Sequence, residues 1–188
     1  MDQHQTFSRF FSLCRTVEEI MEREWNDSEE WERQKRLEME KGAIMGHEKE
    51  TCFYKTKIQN ILKGRYQESD MIYPPWYRSL AEGIFAELYG LSGLTPWAYD
   101  ETEEYKNSSS AKLIGDRMYC LIDGRSVLQP QRISENRRQQ LKRAFLLTAP
   151  KERIEKGFHE VYLHNGIRIT IYSGDRTKPG QDVMVFRK

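Results

Sequence analysis

The segment HEVYLHNGIRITIYSGDRTKPGQDVMVFRK, residues 159–188, alternates apolar and polar side chains with a period of two. That period marks strands with one buried face. Val161 and Leu163 share a face before Asn165-Gly166, a dipeptide suited to a tight hairpin turn in which both central residues take positive φ. Ile167, Ile169 and Ile171 alternate after it, which sets Arg168, Thr170 and Tyr172 on the opposite face. Ser173 to Gln181 reads as a polar loop broken by Gly174, Pro179 and Gly180. A last strand follows, with Val183, Val185 and Arg187 facing one way and Met184 and Phe186 the other. Two arginines, Arg168 and Arg187, thus stand on otherwise apolar strands, where a guanidinium calls for a partner.

Upstream, Ser134 is a good N-cap for a helix from Glu135 to about Thr148 that buries Leu141, Ala144 and Phe145. Pro150 ends it, and Lys151 to Lys156 adds a helical turn. Met118–Ile122 and Arg125–Gln129 read as a hairpin through Asp123-Gly124, and Leu113-Ile114 opens a strand before it. Residues 95–110, TPWAYDETEEYKNSSS, are acidic and then serine-rich, and read as loop or short turns. Trp76 to Leu91 is a helix, with Leu80, Ile84, Leu88 and Leu91 on one face.

Pro74-Pro75 forbids a continuous helix across residues 69–75 and marks a boundary. The expected organisation is a helical N-terminal extension, residues 1–73, and an α+β domain, residues 74–188. In the extension, residues 6–45 are helical, with a stripe of Phe7, Phe10, Phe11, Cys14, Val17, Ile20, Met21 and Trp25. Glu18 to Lys41 is a charged, solvated run suited to i,i+4 pairs, and Asp27-Ser28 could cap a second segment. Glu48–Lys63 is the next helix, stopped by Gly64. The fold class is α+β: a helical bundle or arm, then a small antiparallel sheet with packed helices.

Composition excludes more than it assigns. The 188 residues are 38% hydrophobic and 31% charged, with net charge +1, so no global field draws the chain to nucleic acid or membrane. Cys14, Cys52 and Cys120 form no CxxC pair, so neither a disulfide framework nor a zinc site is implied. Residues 1–15 have no apolar signal core, and no run approaches the roughly 20 apolar residues of a membrane helix. The expectation is a soluble, cytoplasmic protein. There is no GxxxxGK[ST], and GLSGL at 90–94 leaves a helix rather than entering one from a strand, so it is no dinucleotide fingerprint. His159 and His164 bracket a strand without a completing ligand set. Arg132, Arg137, Arg138, Lys142 and Arg143 could grip phosphates, but a solvated helix face partnered by the acidic residues 100–104 is the preferred reading, and nucleic acid is not an expected partner.

The stretch ELYGLSGLTPWAYDETEEYKNSSSAKLIGDRMYCLIDGR, residues 87–125, resembles the N-terminal domain of the secretion ATPases that power type II and type IV secretion and pilus assembly. Glu87, Gly90, Gly93, Leu94 and Pro96 match a helix-ending E-x-x-G-x-G-x-L-x-P-like turn, and Tyr119, Asp123 and Gly124 match a V-Y-x-x-x-D-G-type hairpin. Gly166, Ile167, Arg168, Ile169 and Ile171 match a G-x-R-[VI]-x-[IV] strand, and Phe186, Arg187 and Lys188 a closing I-R-K. The resemblance covers residues 74–188, and the N-terminal helices more loosely resemble the bundle of the CpaF/TadA-type branch. The strand AKLIGDRMY departs from the usual E-I-M-V-N-G wording, and the RecA-like P-loop domain is missing.

The resemblance implies a PAS-like N-terminal domain in one ring of a bacterial homo-hexamer. ATP and magnesium would be bound with a C-terminal ATPase domain, and none by these residues alone. It implies a peripheral position at the inner face of the membrane, serving secretion, conjugation or pilus-assembly machinery. Carried over by position, Arg168 and Arg187 would contact nucleotide phosphates, with Arg176 and Lys178 as second-rank candidates and no catalytic or metal-ligating residue. These residues alone would not be an enzyme, while the full-length protein would be an ATPase. The rival expectation is a stand-alone interaction module that docks a partner through its N-terminal helices, and a third is RNA binding by the Arg132–Arg143 face.

Overall fold

The computed structural model describes residues 6–25, 30–66, 71–148, 158–178 and 181–188. Contacts divide the chain into two compact units, residues 1–92 and 93–188.

The first unit holds α1 (Ser8–Trp25), α2 (Glu30–Ile44), α3 (Glu48–Leu62) and α4 (Leu80–Leu88). The apolar stripe of α1 faces inward: Phe10, Leu13, Cys14, Val17 and Met21 are buried, with Phe7, Phe11 and Ile20 packed beside them. Each such side chain is worth roughly 1.5–3 kcal/mol when fully buried. The stripe offered to a partner by the interaction-module reading is therefore largely spent inside its own unit. The helical stretch expected over residues 6–45 is two helices in the described residues, with the second beginning close to the segment start expected at Glu29, and the Asp27-Ser28 cap lies outside them. The charged run behaves as a solvated face, with Arg36 bonded to Glu40 at 2.7 Å and near Glu22 at 3.5 Å. Gly46, at φ 84°, closes α2 while His47 N–H donates to Gly42 O at 2.9 Å, a Schellman ending.

Helix α4 starts at Leu80, later than the expected Trp76, because Ser79 Oγ accepts from Glu82 N–H at 3.2 Å and caps it there. The linker composition put a boundary at residue 74, whereas the compact unit runs on to Ser92, because α4 buries Leu80, Ile84 and Phe85 in the core shared with Phe10 and Ile58. The motif after α4 has a physical basis. Glu87 accepts from Tyr77 OH at 2.5 Å and from Ser92 Oγ at 2.6 Å, which holds Ser92 at φ 52°, a left-handed conformation for a non-glycine. A Cβ on Gly90 would stand 3.0 Å from Ala86 Cα.

The second unit is a six-stranded antiparallel sheet in the order β3-β2-β1-β6-β5-β4. Its strands are β1 (Ser110–Ile114), β2 (Arg117–Ile122), β3 (Arg125–Arg132), β4 (Phe158–Tyr162), β5 (Arg168–Tyr172) and β6 (Val183–Arg187). Two consecutive meanders are joined by pairing β1 with β6, so the last strand occupies the middle of the sheet. Short helices α5 (Thr95–Ala98) and α6 (Glu103–Lys106) and the longer α7 (Glu135–Thr148) complete the unit. Trp97 and Phe145 each meet Phe186 edge-on, at 6.4 and 6.2 Å between ring centroids. Tyr105 of α6 bonds Gln129 and Gln131 at 3.0 Å each. Phe186, Gln129 and Gln131 are inward-facing, so all three helices lie on one side of the sheet.

In this second unit the described elements depart from expectation in three places. Residues 95–110 form α5, α6 and the start of β1, because Trp97, Tyr105 and Ser108 are buried anchors within an otherwise polar stretch. Strand β3 runs on to Arg132 through a bulge opposite Arg117 and Tyr119, with Gln129 and Gln131 both on its inward side. The β4–β5 turn has positive φ at Gly166 alone, 88°. Gly166 N–H donates to Leu163 O and Leu163 N–H to Ile167 O, both at 2.9 Å, which is a three-residue loop with a glycine bulge. Asn165 stays out of the left-handed region, and its side chain donates to Ala98 O at 3.0 Å while accepting from Ile167 N–H at 3.3 Å. Asp123-Gly124 does take the doubly positive turn, at 48° and 74°. The helical turn expected at Lys151–Lys156, with Pro150, lies outside the described residues.

A Cβ on Gly93 would sit 2.7 Å from Gln131 Cβ, inside the polar cluster around Tyr105. Gly93→Ala should therefore lower the stability of this unit by about 1–3 kcal/mol, the usual cost of overpacking. Urea denaturation would show it as a lower midpoint with an unchanged slope.

Candidate functional site

The face of the sheet opposite α5, α6 and α7 carries none of this unit's described helices, and the strand register arranges its side chains in three rows. The first row runs Tyr162, Arg168, Arg187, Ser110 across β4, β5, β6 and β1. The second runs Glu160, Thr170, Val185, Lys112, Tyr119, Leu128, and the third Phe158, Tyr172, Val183, Ile114, Arg117, Arg132. Five cations thus share this face with one carboxylate, Glu160, among side chains that also include Tyr119, Tyr162, Tyr172 and Phe158.

Arg168 and Arg187 are direct cross-strand partners. Residues so placed have Cβ atoms about 4.5–5.5 Å apart, and like charges there repel. Arg168 has one acidic neighbour, with Nε 3.9 Å from Glu160 Oε2 and both side chains more than a third exposed. Arg187 is exposed and has no ion pair among the described residues. The fold therefore sets two arginines directly across from one another on an exposed face, with Glu160 as their one weak counter-charge among the described residues. That is a geometry suited to an oxyanion such as phosphate.

The second-rank candidates are not brought to this place. Arg176 lies in a 3-10 turn (Gly174–Arg176) and Lys178 just after it, both exposed. They follow Tyr172, at the opposite end of β5 from Arg168, a strand length of roughly 14 Å at about 3.4 Å per residue.

At the Arg168 end, one residue beyond each arginine, a cleft of about 400 Å³ is lined by Ala98, Tyr99, Asp100, Asn165, Ile167 and Lys188, with Gly166 at its turn. Lys188 is already committed: its Nζ pairs with Asp100, donates to Tyr105 O at 2.9 Å, and lies 4.6 Å from the centroid of the Trp97 ring. In the first unit a cleft of about 440 Å³ at the end of α3 is lined by neutral groups and Lys63 and brings no acid, thiol or histidine together.

The basic cluster read from 132–143 is mostly folded in or paired, with Arg143 alone of its five members exposed. Arg132 donates to the carbonyls of Gln129, Pro130 and Gln131 at 2.8–3.2 Å. Arg137 and Arg138 are buried, bonded to Gln140 and Glu135 respectively. Lys142 bonds Asp182 at 2.7 Å, so the counter-charges are Glu135 and Asp182 rather than residues 100–104. His159 is buried opposite Ile171 and His164 is exposed. Among the described residues no group of three His, Cys, Asp or Glu could hold a metal. The three cysteines are free thiols, and burial pushes Cys120 up to about 12 and Cys14 higher still, which leaves both unreactive. No described helix is long and apolar enough to cross a membrane.

The sequence pattern set Arg168 and Arg187 on their strands but did not single out Glu160 and Tyr162, which flank Arg168. Both are on the same face by their even spacing from His159's neighbours, yet their contact with the arginines depends on β4–β5 register, which a one-residue error in the turn would have inverted.

No family model matches the chain, and no curated protein does. Half of the chain (50%) is similar in structure to the VirB11 ATPase from the Brucella suis type IV secretion system in complex with sulphate, at a TM-score of 0.43 and 15% sequence identity, and the chain spans 28% of that protein's length.

Proposed function

We propose that this chain is the non-hydrolytic, nucleotide-sensing and oligomerising N-terminal part of a secretion, conjugation or pilus-assembly ATPase. The observation that carries the reading is the adjacency of Arg168 and Arg187, facing outward together on the open side of the sheet. The ordered motifs from Glu87 to Lys188 give it further support. Guanidinium is permanently charged and its forked donors match phosphate oxygens, so two of them abreast can bind a terminal phosphate and register its loss. Hydrolysis requires a P-loop, an acidic base and a magnesium site. No P-loop pattern occurs in these 188 residues, so the catalytic parts would come from a C-terminal ATPase domain. ATP held between the two would draw them together, and its release would let them part, within a hexameric ring on the inner face of the membrane.

Arg168→Ala and Arg187→Ala should each weaken ATP binding by the native full-length polypeptide roughly tenfold to a hundredfold, the scale of one charge-assisted hydrogen bond. Arg132→Ala should leave it unchanged, since that guanidinium caps its own strand. Unaltered nucleotide affinity and ATPase activity in both sheet variants would end this assignment.

A further inference from the structure

The one carboxylate of the open face among the described residues, Glu160, has a place that the nucleotide reading leaves unused. Glu160 precedes Tyr162 by two residues on β4 and stands opposite Thr170, diagonal to Arg168. One of its oxygens is 3.9 Å from Arg168 Nε, and the other accepts from Tyr162 OH at 3.1 Å. Its carboxylate is thus tethered beside one arginine of the pair while Arg187 has no ion pair among the described residues. An oxyanion bridging Arg168 and Arg187 would have to share Arg168 with that carboxylate or displace it, and a phosphate meeting Glu160 at this range would be repelled.

We infer that Glu160 is a built-in competitor of the anion, a gate residue that occupies Arg168 in the empty site and sets the affinity of the arginine pair for phosphate. The inference rests on the reading of Arg168 and Arg187 as phosphate-binding residues. Its chemistry is an exchange of counter-ions. Arg168 leaves Glu160 for a phosphate oxygen, and Glu160 keeps its bond to Tyr162 and turns away with it. The long separation and the exposure of both partners keep the resting pair weak, so a phosphate carrying more than one negative charge displaces the carboxylate while a singly charged anion competes poorly. The site would therefore distinguish a terminal phosphate from chloride or a lone carboxylate, which a bare arginine pair does less well.

Glu160→Gln tests this without disturbing the strand, because the amide oxygen still accepts from Tyr162. Titration calorimetry with ATP, and separately with inorganic pyrophosphate, on the native polypeptide should give roughly two- to fivefold tighter binding in E160Q, the scale of removing one exposed ion pair. The gain should shrink as salt screens the charges. Arg168→Ala in the same background should abolish the difference. If Arg168→Ala weakens ATP binding while E160Q binds as the wild type does, the gate is overturned and the phosphate reading stands. If neither arginine variant alters binding, both fall together.

Discussion

Raising the pH from about 9 to 11 should unfold the N-terminal unit, with loss of helical circular dichroism in step with the rise of tyrosinate absorbance. Tyr54, Tyr77 and Tyr89 are all buried there. Burial raises each phenol above its ordinary value, helped at Tyr77 by Glu87 and at Tyr54 and Tyr89 by Glu40. Burial raises the Cys14 thiol as well. In the unfolded chain these phenols ionise near pH 10 and the thiol near 8.5. The folded unit keeps its protons where the unfolded chain releases them, so stability is fully present below those values and falls as pH rises above them. One such tyrosine costs about 1.4 kcal/mol for each pH unit above 10. Three reach about 4 kcal/mol by pH 11, of the order of a domain's whole stability. Tyr77→Phe removes one ionisable group and should move the alkaline midpoint upward, although it also deprives Glu87 of a donor at neutral pH. Tyrosines that titrated independently near pH 10 with the helices intact would contradict this account.

Trp97→Ala should be the most damaging single substitution in the sheet unit, lowering its stability by about 3–5 kcal/mol. The indole is completely buried. Its edge meets Phe186 of the central strand, its Nε1 donates to Ser108 Oγ at 2.8 Å, and Lys188 Nζ lies over its ring at 4.6 Å. One side chain thus joins α5, the entry to β1 and the end of β6. Alanine leaves a cavity on Phe186, a lysine without its aromatic support, and a Ser108 hydroxyl that has lost its donor and keeps only its bond to Ser110 O. Trp97→Phe keeps most of the packing and should lose only about 1–2 kcal/mol, chiefly the hydrogen bond. For a unit of this size each kcal/mol shifts the melting temperature by roughly 4–8 °C, so calorimetry separates the two variants readily. Equal melting temperatures for alanine and phenylalanine would show that indole volume is not what holds this corner.

Much of this architecture was legible before any coordinates. Alternation placed Arg168 with Thr170 and Tyr172, and Arg187 with Val183 and Val185, and both arginines do face away from the helices. The three-to-four spacing of Phe10, Cys14, Val17 and Met21 identified a buried helix face, and Asp123-Gly124 a hairpin. The reading of 95–110 as loop or short turns fits the four-residue helices α5 and α6 but missed their buried anchors, because local composition reports the majority of residues. There the minority, Trp97, Tyr105 and Ser108, carries the packing. The expected solvated basic face of 132–143 is met only in part, with Arg143 exposed, for a related reason. Charge along a helix says nothing of which guanidiniums are folded under, and Arg137 and Arg138 are buried.

The period-two and period-3.6 patterns, which are properties of neighbouring residues, by themselves determined the α+β class, the helical N-terminal part, and the side of each strand on which an arginine stands. They could not determine which strands are neighbours. Only the tertiary structure inserted β6 between β1 and β5, set Arg187 directly across from Arg168, and brought Glu160 to the same guanidinium. Pairing of that kind is a contact between distant parts of the chain, chosen by the burial of Met184, Phe186, Ile169 and Leu113 on the other face. The two arginines meet as a consequence of that burial, since each strand's outward side chains follow the register that its inward ones select.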